Sequence, residues 1–335
     1  MTDNGLYCAR GDFYVDPGQP VARAVITHAH TDHVCRGSQA YLAARPGGRL
    51  LRARLGAAAS IQEIDYGAGV DLAGVRVSLH PAGHIPGSAQ VRIESGGEVW
   101  VISGDYKPEP DATCEPFEPV VCHTFFTEAT FGLPIYRWQP APAAIAEIES
   151  WWSANRQAGK ASILFAYNLG KAQRVLAGIG APPGPIYTHG AVERFCALYR
   201  ESGIALPSTM DVDAAPAATD WSQALIVAPP PAMGMPWLRR FGPQSTAFVS
   251  GWMRIRGARR RRSLDRGFVL SDHADWPGLL SAIRMTGAAD VRVTHGYRAP
   301  MVEWLRQQGL DARAVEARFE AEQDETGAEL AEDAP

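Results

Sequence analysis

Cysteine, lysine and long apolar runs are scarce in this 335-residue chain, and each scarcity excludes something. The five cysteines are odd in number and no two stand as a CxxC pair. That argues against a disulfide framework and against a cysteine-rich zinc knuckle. No uninterrupted run of about 18 apolar residues occurs, so neither a membrane-spanning helix nor a membrane partner is expected. The opening MTDNGLYCARGDF lacks a basic stretch followed by an apolar one, so no secretory leader is expected, and a cytoplasmic location suits the unpaired cysteines. Lysine occurs three times against 29 arginines. What remains is ordinary for a folded chain: 46% hydrophobic and 20% charged residues exclude wholesale disorder. The length suits two domains, or one large α/β domain carrying an insertion.

The net charge of −4 is unevenly spread. The stretch 316–335 holds eight acidic residues against one basic residue, Arg318, and is poor in large apolar side chains. It reads as an acidic, disordered tail, and the chain before it is mildly basic, which permits a polyanionic substrate without demanding one.

Strand patterns recur, and each ends at ligand-type residues. AVIT (Ala24–Thr27) runs into HAHTDH, and VRVSL (Val75–Leu79) runs into HPAGH. QVRIESGGEVWVISGD reads as a hairpin turning at Gly96–Gly97 with Asp105 just beyond its second strand. Glu128 closes another apolar run, FVL precedes SDHADW, and VRVT precedes HGYR. Helical patterns follow at WPGLLSAIRM and APMVEWLRQQG. Loops at one edge of a rigid sheet are where α/β proteins build their sites. Residues 139–246 differ in texture: Pro-rich patches punctuate the β–α patterns ILFAYNLGKAQRVLAGI and IYTHGAVERFCALYRESG and the strand ALIVA. They read as a smaller α/β domain inserted between residues 1–138 and 247–315 of a larger one, which the chain rejoins at TAFVS.

The strongest chemical signal is His28-Ala29-His30-Thr31-Asp32-His33. Four potential ligands in six positions after a strand can face one cavity from a single loop and helix start. Histidine with carboxylate suits zinc or manganese, whereas calcium or magnesium favours oxygen donors alone. A polar loop with a helix cap at Asp32 is the plainer alternative. His84 in PAGHIPGSAQ follows a strand among small residues; alone it reads as structural, and beside HAHTDH it reads as a ligand. His80 reads as structural. Asp105 in ISGDYK is an anionic donor able to bridge two cations, or a turn former after Gly104.

HAHTDH, PAGHIPGS and SGDYK together resemble the metallo-β-lactamase superfamily. TEATFG, LSDHADW and VTHGYR are similar to the additional motifs of its β-CASP nuclease branch, which includes RNA-processing nucleases and Artemis-type DNA nucleases. The YVDP and THAHTDHVCRG context most resembles the bacterial DNA ligase-associated exonucleases. The resemblance implies an αββα sandwich with an inserted β-CASP cap, in which AYNLGKAQRVL is similar to the cap's opening. It implies two divalent metal ions, Zn²⁺ or Mn²⁺: one on His28, His30, His84 and Asp105, the other on Asp32, His33, Asp105 and His295. It makes Asp16 of YVDPG the residue that orients the metal loop, His273 the proton donor to the leaving oxygen, and Glu128 its partner. The implied activity is a DNA exonuclease of repair that trims ends before ligation, with an ATP-dependent DNA ligase and a helicase as partners. His295 stands where RNA-processing members carry histidine, which keeps an RNA nuclease as the alternative. A small-molecule metallo-hydrolase and a metal-free nucleic-acid scaffold are further alternatives, opposed respectively by Glu128, His273 and the insertion, and by the filled ligand positions.

The remaining signals are weaker. Six arginines within Arg254–Arg262, Arg259, Arg260, Arg261 and Arg262 among them, can contact phosphates or form a solvated loop. Lys171 at the start of a helix can meet a phosphate or lie on the surface. His189 reads as structural or as a substrate contact, and His123 as structural. Cys35 reads as a small buried hydrophobe. Trp151, Trp152, Trp237 and Trp252 can stack on bases, with core packing the plainer role.

Overall fold

The computed structural model describes residue 2 and residues 4–255 and 264–315. Arg259–Arg262 and the acidic stretch 316–335 lie outside the described residues. Two compact units are present: one holds the chain up to Arg137 and again from His273, the other spans Trp138–Asp272.

The first unit opens with β1 (Leu6–Cys8), β2 (Phe13–Val15), β3 (Arg23–Val25), β4 (Ala40–Ala44), helix α1 (Gly48–Leu55) and β5 (Ile61–Ile64). These five strands form one sheet in sequence order, antiparallel between β1 and β2 and parallel beyond. Next come β6 (Gly69–Leu72), β7 (Val75–Pro81), β8 (Ala89–Ser95), β9 (Glu98–Ile102) and β10 (Thr124–Ala129). The β8–β9 hairpin turns at Gly96–Gly97 as its pattern predicts.

The second unit contributes α2 (Ala141–Gln157), β11 (Ala161–Phe165), α3 (Lys171–Gly178), β12 (Ile186–Thr188), α4 (Gly190–Glu201), β13 (Met210–Asp211), β14 (Leu225–Ala228), β15 (Gln244–Val249) and β16 (Arg266–Phe268). The chain then returns to the first unit with α5 (Trp276–Thr286), β17 (Asp290–Gly296), α6 (Arg298–Gln307) and β18 (Asp311–Ala314).

The first unit's second sheet runs β18-β17-β10-β9-β8-β7-β6. Its inner face meets the first sheet in a shared core of Phe13, Val15, Val25 and Leu42 against Val77, Leu79, Val91 and Phe126. Helix α1 covers the outer face of the first sheet through Leu51, and α5 and α6 cover the second through Leu279, Ile283, Met301 and Leu305. The result is a four-layer α-β-β-α arrangement. The alternation of VRVSL supplies the inner-face side chains at Val75, Val77 and Leu79, all fully buried.

The second unit is a six-stranded sheet in the order β13-β12-β14-β11-β15-β16, parallel throughout. Its strands read as unbroken apolar runs such as LIVA because both faces are covered. Helix α2 packs Ile145, Ile148, Trp151 and Trp152 on one face of that sheet at helical spacing. Full burial of a side chain such as Ile148 stabilises by about 1.5–3 kcal/mol.

Three expectations need correction here. The chain does not rejoin the first unit at residue 247: TAFVS is β15, hydrogen-bonded to β11 in the centre of the second sheet, and β16 extends that sheet further. No helix follows HAHTDH, which closes instead in a turn with His33 N–H donating to the His30 carbonyl at 3.1 Å. Cys35 is half-buried rather than enclosed.

Candidate metal centre

The candidate ligands of the first unit gather where its strands run out. The segment after β3 carries Thr27 to His33, the loop after β7 carries His84, the turn after β9 carries Asp105, and β10 and β17 end at Glu128 and His295. Local packing brings these loops together. Ser88 accepts from the His84 and Ile85 N–H groups at 3.0 and 3.2 Å, closing the PAGHIPGS loop, and Ala89 N–H donates to the Thr27 carbonyl at 2.8 Å. Gly104 adopts φ +56°, and a Cβ there would lie 2.7 Å from Thr27 Cβ and Oγ1. Only glycine lets the β9 turn approach closely enough to aim Asp105 at the histidine loop.

The donor atoms converge. His28 Nε2 lies 3.2 Å from His30 Nδ1, and His84 Nε2 lies 3.1 Å from the same atom. Asp105 Oδ2 stands 3.5 Å from His28 Nε2 and 3.8 Å from His84 Nε2. These four residues are buried, with their ligand atoms within 4.8 Å of one another. The edge of a tetrahedron with zinc–nitrogen arms is about 3.3–3.4 Å, close to these separations. On the other side of Asp105, His33 Nε2 is 3.6 Å from Oδ2, His295 Nε2 is 3.0 Å from Oδ1, and Asp32 Oδ2 is 3.5 Å from His33 Nε2. Asp105 thus faces both groups of donors.

Asp16 sets the orientation of the loop. Its Oδ1 accepts the Thr27 N–H at 2.8 Å, and its Oδ2 accepts the Thr27 hydroxyl at 2.6 Å and meets His33 Nδ1 at 2.8 Å. A carboxylate on Nδ1 holds that proton and leaves Nε2 turned towards Asp105. Asp16 itself has φ +44°, a backbone that asparagine tolerates. Asp16→Asn is therefore expected to keep the fold and lower divalent-metal affinity 10- to 100-fold, as read by competition against a chelating dye.

Electrostatics favour positive charge in this pocket. Burial opposes a charged His33, yet Asp32, Asp105 and Asp16 together outweigh it and push its pKa up to about 10. Burial, reinforced by His33, keeps His28 well below the usual imidazole range. Asp105 is held well below the carboxylate range because His33, His273 and the bonds to His28 and His295 outweigh its burial. An ionised Asp105 beside a His28 kept neutral is a donor pair that divalent cations select. Asp32 Oδ1 is also buried with no hydrogen-bond partner among the described residues. The buried set of His28, His30, His84 and Asp105 fits a divalent cation.

Beside the cluster lies a fourth pair. His273 Nδ1 is 2.9 and 3.1 Å from the two oxygens of Glu128, which is fully buried and also accepts the Tyr106 N–H at 2.8 Å. Asp105, Glu128 and His273 offer ligand atoms within 4.8 Å of one another.

The remaining sequence candidates fall elsewhere. His80 lies between Ser78 and Glu118, and His123 accepts the Val99 N–H. His189 caps α4, its Nδ1 accepting from Ala191 N–H at 3.1 Å. Trp151 and Trp152 are core residues, donating to Ser245 Oγ and the Gln223 carbonyl, while Trp237 and Trp252 are partly buried against the second core of that unit. Lys171 does not await a phosphate: it is buried, and its ammonium pairs with Asp272. That pairing spans 101 positions and leaves no trace in local pattern.

Comparison with known proteins accords with this picture. No family model matches the chain. A protein named Probable DNA ligase from Opitutus terrae is 30% identical over 314 residues, covering 93% of this chain and 30% of that protein. Endoribonuclease YSH1 of Saccharomyces cerevisiae is 27% identical over 118 residues, 35% of this chain and 15% of its own. Transcription termination factor FttA of Pyrococcus abyssi is 30% identical over 147 residues, 41% of this chain and 23% of its own. The chain spans less than a third of the length of each of these curated relatives. A solved structure of a protein of unknown function from Enterococcus faecalis V583 shares the fold, with a TM-score of 0.60 over 89% of this chain and 80% of that one at 11% identity.

A mixed α/β fold whose strand ends gather five histidines and Asp32 around Asp105 accords with a metallo-β-lactamase-type protein. The chain resembles the β-CASP branch of that superfamily. Among the described residues no helix is long and apolar enough to cross a membrane.

Proposed function

We propose that this protein is a two-metal phosphodiesterase that shortens DNA from an end, preparing that end for ligation. The observation that carries the DNA reading is that a protein named Probable DNA ligase contains a segment similar to 93% of this chain. A ligase and an end-trimming nuclease act in succession on the same break, so one polypeptide serves both. On the same reasoning an ATP-dependent DNA ligase, and with it a helicase, are proposed as working partners here.

In this reading His28, His30, His84 and Asp105 hold one cation, and Asp32, His33, Asp105 and His295 hold the other, zinc or manganese in each case. When bound, the two cations supply Lewis acidity at the phosphodiester and a water-derived nucleophile at neutral pH. The chain's own residues do the rest. Asp16 keeps His33 turned inward through Nδ1. Glu128 orients His273 and stabilises its protonated form, so that Nε2 delivers a proton to the departing alkoxide. The residues 139–246 expected as an inserted cap fall in the separate parallel-sheet unit, which is proposed to serve as the β-CASP cap.

Two observations favour a second reading, an RNA nuclease: His295 is a histidine, and one of the two shorter matches is an endoribonuclease. A gel assay on matched single-stranded DNA and RNA, labelled in turn at each end and supplied with Zn²⁺ or Mn²⁺, separates them. Stepwise shortening of DNA is the expected result, and preferential cutting of RNA transfers the protein to the second reading.

A further inference from the structure

The segment Val269–Asp275, which carries His273, has neither helix nor strand, yet it is held on both sides. After His273, Ala274 N–H donates to the Tyr106 carbonyl at 2.7 Å, and Asp275 caps α5 by accepting from Gly278 N–H at 2.9 Å. Before it, within the second unit, the Arg174 guanidinium donates to the Ser271 carbonyl at 2.8 Å and the Lys171 ammonium pairs with the Asp272 carboxylate. Both basic residues come from α3, and Lys171, Arg174, Ser271 and Asp272 are all buried. The helix is itself tied down, Gln173 accepting from Gly170 N–H at 2.8 Å and donating to the Asn168 carbonyl at 2.9 Å.

A buried ion pair is a poor stabiliser, because desolvating two charges cancels most of their attraction, and apolar residues of like volume often serve stability as well or better. Its position suggests another use. We propose that Lys171 and Arg174 are positioning residues for the reaction: α3 grips Ser271 and Asp272 and so fixes the backbone from which His273 projects. Glu128 sets the ring, and α3 sets the point from which the ring hangs. The inference rests on the reading of His273 as proton donor. A shift of about an ångström in such a group is enough to cost two orders of magnitude in rate.

The test uses Lys171→Met/Asp272→Leu, which replaces the pair by apolar side chains, and Asp272→Glu, which keeps the charges but lengthens one arm. Each is assayed on DNA and on a p-nitrophenyl phosphodiester of thymidine, whose leaving group needs no proton, alongside denaturant midpoint and metal content. The double variant is expected to stay folded and metal-loaded, with KM within about twofold and kcat on DNA lowered 10- to 100-fold. Its kcat on the activated ester should fall less than about threefold. Asp272→Glu should show the same split more weakly, and it decides the matter if the double variant does not fold. Equal loss on both substrates, or loss on neither, in a folded variant overturns the positioning role. A wild type that cleaves neither substrate with any metal defeats the proposed function itself, an outcome distinguishable from failure of this inference.

Discussion

Asp105→Ala is expected to reduce nuclease activity at least about a thousandfold while leaving the fold intact, because several kilocalories of metal-derived stabilisation disappear together. The reason is geometric. Asp105 Oδ2 stands within 3.8 Å of His28, His33 and His84, and Oδ1 is 3.0 Å from His295. It faces both proposed sets of donors, so its loss weakens both sites rather than one. Metal analysis of the purified variant should find fewer than one equivalent where the wild type holds about two. Removing a buried carboxylate also leaves the charged form of His33 with less compensation, so that imidazole should titrate lower in the variant. Unchanged metal content with unchanged activity would show that Asp105 bridges nothing.

His273→Ala should separate chemistry from metal binding. The ring is held by Glu128 and belongs to neither proposed set of metal ligands, so metal content should match the wild type. Loss of a positioned acid costs about 10²- to 10⁴-fold in rate. The loss should be confined to substrates with a poor leaving group: cleavage of DNA should fall by that factor while the p-nitrophenyl ester is spared. A variant that loses its metal, or that slows on both substrates alike, would move His273 from proton transfer to holding the centre together.

The centre was largely legible in the sequence because its chemistry is local. HAHTDH packs four ligands into six positions, and each of His84, Asp105, Glu128 and His295 is announced by the apolar run that ends beside it. Strand periodicity of two and the Gly96–Gly97 turn place those runs correctly. Long-range choices were not legible. TAFVS is a buried apolar strand that fits a sheet of either unit, and only its pairing with β11 decides that it belongs to the second unit. Helix α2 opens inside the Pro-rich QPAPAA, since proline is accepted in the first helical turn and Ile145, Ile148 and Trp152 carry the helical spacing beyond it. The partnership of Lys171 with Asp272 depends on the folding of everything between them, and so does the reach of Asp16 to His33 across 17 positions.

The central claim is that this cluster cleaves phosphodiesters only when loaded with divalent cations. The most direct measurement strips the purified protein with a chelator, confirms the loss by metal analysis, and follows single-turnover cleavage of end-labelled single-stranded DNA as Zn²⁺ or Mn²⁺ is returned. No cleavage by the stripped protein, and recovery that saturates near two equivalents in the wild type but not in Asp105→Ala, is the predicted result. Cleavage that survives stripping, or that returns equally in Asp105→Ala, would contradict it.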